Sequence, residues 1–409
     1  MSPTKKPLLS VDEALARLLE QAAPLNGVEH VATECALGRV LAAAQFSGVD
    51  VPPLDNSAMD GYAVRMADLP APGARLRVAQ RIPAGRLGQP LETGTAARIF
   101  TGAPVPQGCD AVVMQENCAA EGDTVIVNIL PKTGENIRRA GEDIRSGAQL
   151  LPLGIRLRPQ EMGLAASVGL ARLPVFRKLR VAAFFTGDEI VMPGQPLQPG
   201  QIYNSNRFVL SGFLAALGCE VIDLGIVPDD LAATVKVLEQ AAACADLIVT
   251  SGGVSVGEED HVKAAVEQTG HIDLWKIAVK PGKPLAFGSV AGTPFIGLPG
   301  NPVSAFATFC IFVRPFILRR QGVAEVAPPR LTLRADFDWP RPDPKRREFL
   351  RARLALGMDG IPVAQIYPQQ GSGVLTSCAW ADGLIEVEAG RAIHQGQSIV
   401  FLPFGGLLA

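Results

Sequence analysis

Three short apolar runs constrain this chain more than any other feature: LRVAAFF from residue 179, EVIDLG from 220 and DLIVTSGG from 246. Each is the length of a buried strand, and helical patterns separate them. One helix runs from about Asn206 and is closed by Gly218, a second follows Asp229 and Asp230, and a third passes through Val262, Ala265 and Val266. Strand, helix, strand alternation predicts right-handed crossovers and a largely parallel, doubly wound α/β sheet covered on both faces. In such sheets ligands bind beyond the carboxyl ends of the strands. The unusual loops all fall there: TGDE (186–189), SGGVSVGEED (251–260), KPGKP (280–284) and GLPGNP (297–302).

The rest of the chain has other textures, as a length of 409 residues requires of a protein with more than one core. Ser10 and Glu13 have the form of a capping box, and Val11, Ala14, Leu15, Leu18 and Leu19 repeat at helical spacing behind them. From about 47 to 146 short apolar runs are cut by Pro and Gly, which predicts an inserted strand-rich domain. From about 328 the chain is again strand-like. In RREFLRARL (346–354) period two puts Leu350, Ala352 and Leu354 on one face and Arg347, Arg351 and Arg353 on the other, so three guanidiniums are expected to share a surface.

A formal charge of −2 argues against a general binder of nucleic acid or membrane surfaces, so any bound anion must meet local clusters. The N-terminal MSPTKKPLLSVDE has no apolar core of a signal peptide, and the most lipid-like stretch, Val303 to Val313, stops at Arg314, short of the roughly 20 residues a span needs. The chain reads as neither exported nor membrane-inserted. Seven scattered cysteines with no C-x-x-C pair read as reduced thiols in a cytoplasmic protein, and four histidines without metal-ligand spacing give no zinc site.

The loop 251–260 sets the central question. Gly252 and Gly257 have the Walker spacing, but Glu258 and Glu259 stand where Lys and Ser or Thr would be. One reading is a tight turn whose acids favour the next helix's N-terminus. The other is that backbone N–H groups hold a phosphate or carboxylate while a carboxylate holds Mg²⁺ beside it, since Mg²⁺ takes one or two carboxylates together with phosphate oxygens. Asp188 and Glu189 supply a second acidic loop on the same rim. Lys280 and Lys283 bracket a stiff turn of opposite sign, with Lys276 upstream. In the inserted domain Asp55, Asn56, Ser57 and Asp60 cluster, and IRRAGEDIR (137–145) mixes both charges; a polar turn and a solvated face are the plain alternatives.

Taken in order, PPLDNSAMDGYAV, TGAPVPQGCDAVVMQE, IRRAGEDI, TGDE, QIYNSN, SGGVSVGEED, WKIAVKPGKPLAFG and GLPGNPVSAF resemble the molybdopterin molybdenumtransferase family, MoeA and the gephyrin E domain. The resemblance implies a homodimer of four-domain subunits. Its domains would be a connecting domain (27–46 and 147–177) and an inserted domain (47–146), with an N-terminal helix (1–26) packing with the α/β domain. A molybdopterin-binding α/β domain (178–327) and a C-terminal β-barrel-like domain (328–409) complete it. The substrates implied are adenylyl-molybdopterin and molybdate, with Mg²⁺ as cofactor, AMP as a product, and other cofactor-biosynthesis or acceptor enzymes as further partners. Carried over by motif, Asp60, Thr101, Asp143, Glu189, Asp229 and Asp260 take functional acid or hydroxyl positions, and Lys276, Lys280, Arg351 and Ser372 the basic and hydroxyl positions of the pocket. The resulting expectation is a metal held by Glu189 and Asp260 and a phosphate held along Ser251, Gly252, Gly253, Ser255 and Gly257. Lys283, Pro299 and Asn301 are expected on the substrate. His261 departs from the tyrosine that the family carries there. Two rivals share parts of these motifs: molybdopterin adenylyltransferase, a single compact domain with the SGG turn, and a non-catalytic scaffold of the gephyrin E-domain type.

Overall fold

A computed structural model describes residues 8–253, 261–282 and 285–407. Its central sheet has six strands, in the order Glu220–Val227, Arg180–Thr186, Leu247–Ser251, Thr293–Leu298, Leu285–Val290 and Gly270–Trp275. The first four are parallel. Alternate residues of the second strand explain why it is apolar throughout: Val181, Ala183 and Phe185 enter the core on one face, Ala182 and Phe184 the core on the other. The last two strands are antiparallel, a departure from an all-crossover sheet. Its cause is local. Ala291 (φ 45°) and Gly292 (φ 84°) make a two-residue turn of the kind that joins hairpin strands.

Polar caps start the flanking helices. The Asn204 side chain accepts from the Arg207 amide at the head of Ser205–Ala216, and Asp230 accepts from the Ala233 amide at the head of Leu231–Cys244. The Ser10 capping box is present on the helix Val11–Glu20, whose Val11, Ala14 and Leu18 join the central core. The apolar stretch beginning at Val303 continues beyond Arg314 as one helical run, Pro302–Arg320, containing a π-helical turn at Phe309–Val313. By length and composition this run could cross a membrane, yet 83% of its most apolar window is buried in the protein. Arg314 is tolerated inside because its guanidinium donates to the Val326 carbonyl.

Two further six-stranded sheets flank this domain in sequence. One is built from segments between Gly61 and Val127 and carries two small cores of its own. Segments on either side of it in sequence pair with each other, Val28–Ala32 with Arg172–Phe176 and Gln45–Phe46 with Gln149–Leu151. In the other, Arg347–Leu356, Pro362–Ile366, Leu331–Ala335, Ser398–Pro403 and Gly383–Val387 close into a five-stranded barrel, and Val279–Lys280 adds to the first of them.

The barrel corrects the expectation of three guanidiniums on one open surface. Leu350 and Ala352 do face the barrel core. The other face is not solvent, because Phe349, Leu384 and Leu402 pack into the core of the α/β domain. Arg351 is therefore buried, Arg347 is engaged by Asp12, Glu386 and Glu388, and only Arg353 is exposed, stacked over Trp380.

Candidate active site

A cleft of about 640 Å³ lies at the carboxyl ends of the parallel strands, where the α/β domain meets the C-terminal domain. Thr186, Glu189, Asp229, Gly252 and Gly253 line it from the sheet rim. Lys280 and Gly282 come from the lysine turn, Pro299 and Asn301 from GLPGNP, and Arg346, Gly371 and Ser372 from the C-terminal domain.

The glycine turn is dictated by space. Gly252 has φ 101° and Gly253 φ 63°, and a Cβ on Gly252 would lie 2.6 Å from the Thr186 carbonyl oxygen. A side chain there would collide with backbone. Asn206 then ties this turn to GLPGNP: its Nδ2 donates to Ser251 Oγ (2.8 Å) and to the Gly300 carbonyl (2.7 Å), while Ser251 Oγ donates to the Pro299 carbonyl (3.0 Å). Ser251, expected on the substrate, is instead 4% exposed, with its hydroxyl spent on joining two loops. Sequence reasoning passed over Asn206, although its place in QIYNSN at a helix start was visible.

The acidic side is formed by Glu189 and Asp229, with the Asp229 amide donating to Asp188 Oδ1 at 3.3 Å. Among the described residues no group of three His, Cys, Asp or Glu side chains stands ready to hold a metal. Asp260, Ser255, Gly257 and Lys283 lie outside the described residues, as do Glu258 and Glu259.

The cationic side is braced by carboxylates. Lys280 Nζ donates to Glu348 Oε1 at 2.5 Å, and the 1% exposed Glu348 also accepts from Trp339 Nε1 at 2.6 Å. Arg346, which sequence reasoning missed, places Nε and Nη2 at 2.8 and 2.6 Å from Asp343 Oδ2. Asp343 Oδ1 accepts from the amides of Lys345 and Arg346, and the Arg346 guanidinium, with these amides, holds its carboxyl below the usual range.

Arg351 does not reach the cleft as an open ligand. It is 0% exposed, and burial pushes its pKa down to about 10. Its Nε donates to Ser377 Oγ (3.0 Å), Nη1 to the Phe349 carbonyl (3.3 Å) and Nη2 to the Gly371 carbonyl (3.2 Å). It is a strut behind the 370–372 loop. Ser372 does line the cleft, and its carbonyl accepts from Val303 at the start of the long helix.

Three expected residues lie in the inserted sheet's region and do not line this cleft. Asp60 Oδ1 accepts from the Thr101 amide and hydroxyl, both at 2.8 Å, and these two bonds lower its pKa. Asp143 is exposed, its amide bonded to the Val51 carbonyl. Lys276 is exposed outside the cleft lining, its carbonyl accepting from the Leu9 amide.

Three family models match in succession: "MoeA N-terminal region (domain I and II)" over residues 9–169, "Probable molybdopterin binding domain" over 182–319 and "MoeA C-terminal region (domain IV)" over 332–404. The molybdopterin molybdenumtransferase of Haemophilus influenzae is 41% identical over 405 residues, covering 98% of this chain and 100% of that protein. The Bacillus subtilis protein of the same name is 33% identical, covering 97% and 94%. Among solved structures, the molybdopterin biosynthesis MoeA protein of Pyrococcus horikoshii OT3 superposes with a TM-score of 0.84 at 29% identity, covering 97% of this chain and all of that one. With its three matched regions in order and near-complete coverage of such relatives, this chain belongs to the MoeA family of molybdopterin molybdenumtransferases.

Proposed function

We propose that the chain inserts molybdate into adenylyl-molybdopterin, with Mg²⁺-dependent release of AMP. The observation that carries this reading is a single cleft with acids and a glycine turn on its α/β side and carboxylate-braced cations on its C-terminal side. A substrate joining two phosphates and an incoming oxyanion needs both. Glu189 and Asp229 are hard oxygen donors that fit Mg²⁺, an ion that keeps waters and takes phosphate oxygens beside one or two carboxylates. Bound there, Mg²⁺ would neutralise the diphosphate; Asp260 completes that set in this reading.

The chain's own residues supply the remainder. The Gly253 amide, with those of Ser255 and Gly257, holds a phosphate, while the Gly252 amide donates to the Leu298 carbonyl and fixes the turn; Pro299 and Asn301 wall the substrate in. Such fixed donors favour charge that grows on the leaving oxygen more than they favour the ground state. Lys280 and Ser372, joined by Lys283, hold molybdate beside the dithiolene, and proximity accelerates its insertion. In this reading Asp60, Thr101 and Asp143 complete the cleft of a second subunit in a homodimer, and the reaction runs in the cytoplasm, where seven unpaired thiols stay reduced.

The test is turnover of adenylyl-molybdopterin and molybdate by the purified chain, followed as AMP release with and without Mg²⁺. Magnesium-dependent AMP release that also requires molybdate is expected. Consumption of ATP with molybdopterin instead, or no turnover, overturns the reading.

A further inference from the structure

We infer that Arg81, on the inserted sheet, is a stacking platform for a planar heteroaromatic ring of the substrate. The inference rests on the reading above, in which the substrate carries an adenine and a pterin ring and the region of Asp60 and Thr101 completes the cleft of a second subunit.

Three residues lie in register across neighbouring strands of that sheet: Tyr62 is opposite Arg98, and Arg98 is opposite Arg81. Period two then puts Phe100 on the face that Arg98 occupies. Two arginines directly opposite one another repel, and a carboxylate between them would be the ordinary remedy. The sheet offers them rings instead. The Arg98 guanidinium lies 5.2 Å from the centroid of the Tyr62 ring and 4.7 Å from that of Phe100, and the Arg81 guanidinium lies 4.7 Å from the Phe100 centroid as well. Ring, cation, ring and cation thus follow one another, each touching the next.

The two ends of this series differ. Tyr62 is buried in the sheet's own core, and Arg98 is tied down by donating to the Gly61 carbonyl (3.1 Å) and to Gln115 Oε1 (2.6 Å). Arg81 is exposed, and among the described residues its side chain makes no hydrogen bond or ion pair and meets no second ring. A guanidinium is planar and weakly hydrated, so its free side is a flat cationic surface that attracts the π face of a ring. Phe100 steadies that surface before a ligand arrives, which lowers the ordering cost of binding. The next member of the series is an aromatic ring, and a ligand has to supply it.

Position selects the substrate's ring. Phe100 is followed by Thr101, whose amide and hydroxyl donate to Asp60, and the Arg98 charge adds to the lowering of the Asp60 pKa that these two bonds begin. The stack and the pair of Asp60 and Thr101 are therefore neighbours, and a second subunit that receives one receives the other. Adenine and pterin share the flat π face that Arg81 requires.

The experiment compares Arg81→Ala, Arg81→Lys and Phe100→Leu with the wild-type chain. It measures KM for adenylyl-molybdopterin and for molybdate separately, calorimetric binding of AMP and of molybdopterin, and thermal melting to verify folding. Loss of the cationic face is expected to raise the adenylyl-molybdopterin KM about 5- to 20-fold in Arg81→Ala while the molybdate KM stays within about twofold. One probe should weaken by the same factor, AMP if the stacked ring is adenine and molybdopterin if it is the pterin. Arg81→Lys, which keeps the charge but not the plane, is expected to recover only a small part of the loss. Phe100→Leu, which leaves the guanidinium whole but unsupported, should give a smaller rise. A folded Arg81→Ala protein with wild-type KM and wild-type binding of both probes overturns the contact. Full recovery in Arg81→Lys overturns stacking, because a point charge then suffices. If the wild type turns over neither substrate but binds AMP or molybdopterin in an Arg81-dependent way, the reaction assignment fails and the stack stands.

Discussion

On the α/β side of the cleft the functional groups hang from loops that leave strand ends; on the C-terminal side they come from a barrel strand and the turns around it. The first side is organised by local rules. Gly252 needs its positive φ and the Asn204 and Asp230 caps start the helices, each a device within a few residues of backbone, and Asn206, near one of those helix starts, then bridges two of the loops. The second is organised by tertiary closure. The strand Arg347–Leu356 has partners on both edges, one face toward the barrel core and the other against the α/β domain, and its two less exposed cations are matched, Arg347 by carboxylates and Arg351 by carbonyls and a hydroxyl. Charges brought between two packed layers must be paired or hydrogen-bonded, because desolvation otherwise dominates. Mutations should therefore act differently on the two sides: the barrel side couples ligand affinity to stability.

The strongest break of that contrast is Arg351→Ala. Truncation removes three hydrogen bonds, leaves the Gly371 carbonyl and the Ser377 hydroxyl short of a partner, and opens a void between barrel and helix Thr376–Trp380. A loss of about 3–5 kcal/mol in unfolding free energy is expected, read from urea or thermal melts, together with a raised molybdate KM because the 370–372 loop loses its strut. Unchanged stability would mean that Arg351 is an ordinary surface ligand and that the two sides are built alike.

The same contrast explains what the sequence could show. The α/β strands, the caps at Asn204 and Asp230, and the rim loops were legible because periodicity, capping and glycine turns are local signals. The alternation of RREFLRARL was also legible, and Leu350 and Ala352 do face the barrel core. What covers the opposite face was not, since period two distinguishes faces but does not say which one meets another domain. That is why Arg351 read as an open ligand and Arg346 was passed over. Arg346 could have been suspected from Asp343, three residues earlier after a proline, a spacing that pairs the two in a tight turn. Glu348 gave no local signal, because its partners Lys280 and Trp339 come from elsewhere in the chain.

Glu348→Gln sharpens the contrast at intermediate size. The amide preserves volume and can still accept from Trp339, but it removes the charge that faces Lys280. With the Lys280 side chain 40% exposed, water replaces part of the lost interaction, so a stability loss of about 1–3 kcal/mol is expected. Lys280 would lose its fixed position, and kcat/KM for molybdate should fall in parallel. Glu348→Asp, which restores charge at shorter reach, should recover part of both. Recovery of stability without recovery of kcat/KM would separate packing from positioning.

The smallest effect is expected far from the cleft, and it serves as the control. Asp246 receives both Nη atoms of Arg177 at 2.7 and 2.8 Å and the Arg180 amide at 2.9 Å, joining the connecting segment to the α/β domain. Burial alone would raise its pKa, but the Arg177 and Arg180 hydrogen bonds outweigh it and bring the value from an ordinary 3.8 to about 2. A depressed carboxylate pKa contributes stability that is fully present above the unfolded value and disappears as pH falls through the folded one. The wild type should thus lose this contribution between about pH 4 and pH 2, while Asp246→Asn, already lacking it, should be less stable at neutral pH by about 1–2 kcal/mol and show a flatter acid limb. Its molybdate KM should match the wild type. A raised KM in this variant would mean that general loosening alone weakens the oxyanion site, and the rise expected for Arg351→Ala could then no longer be credited to the loop that Arg351 holds.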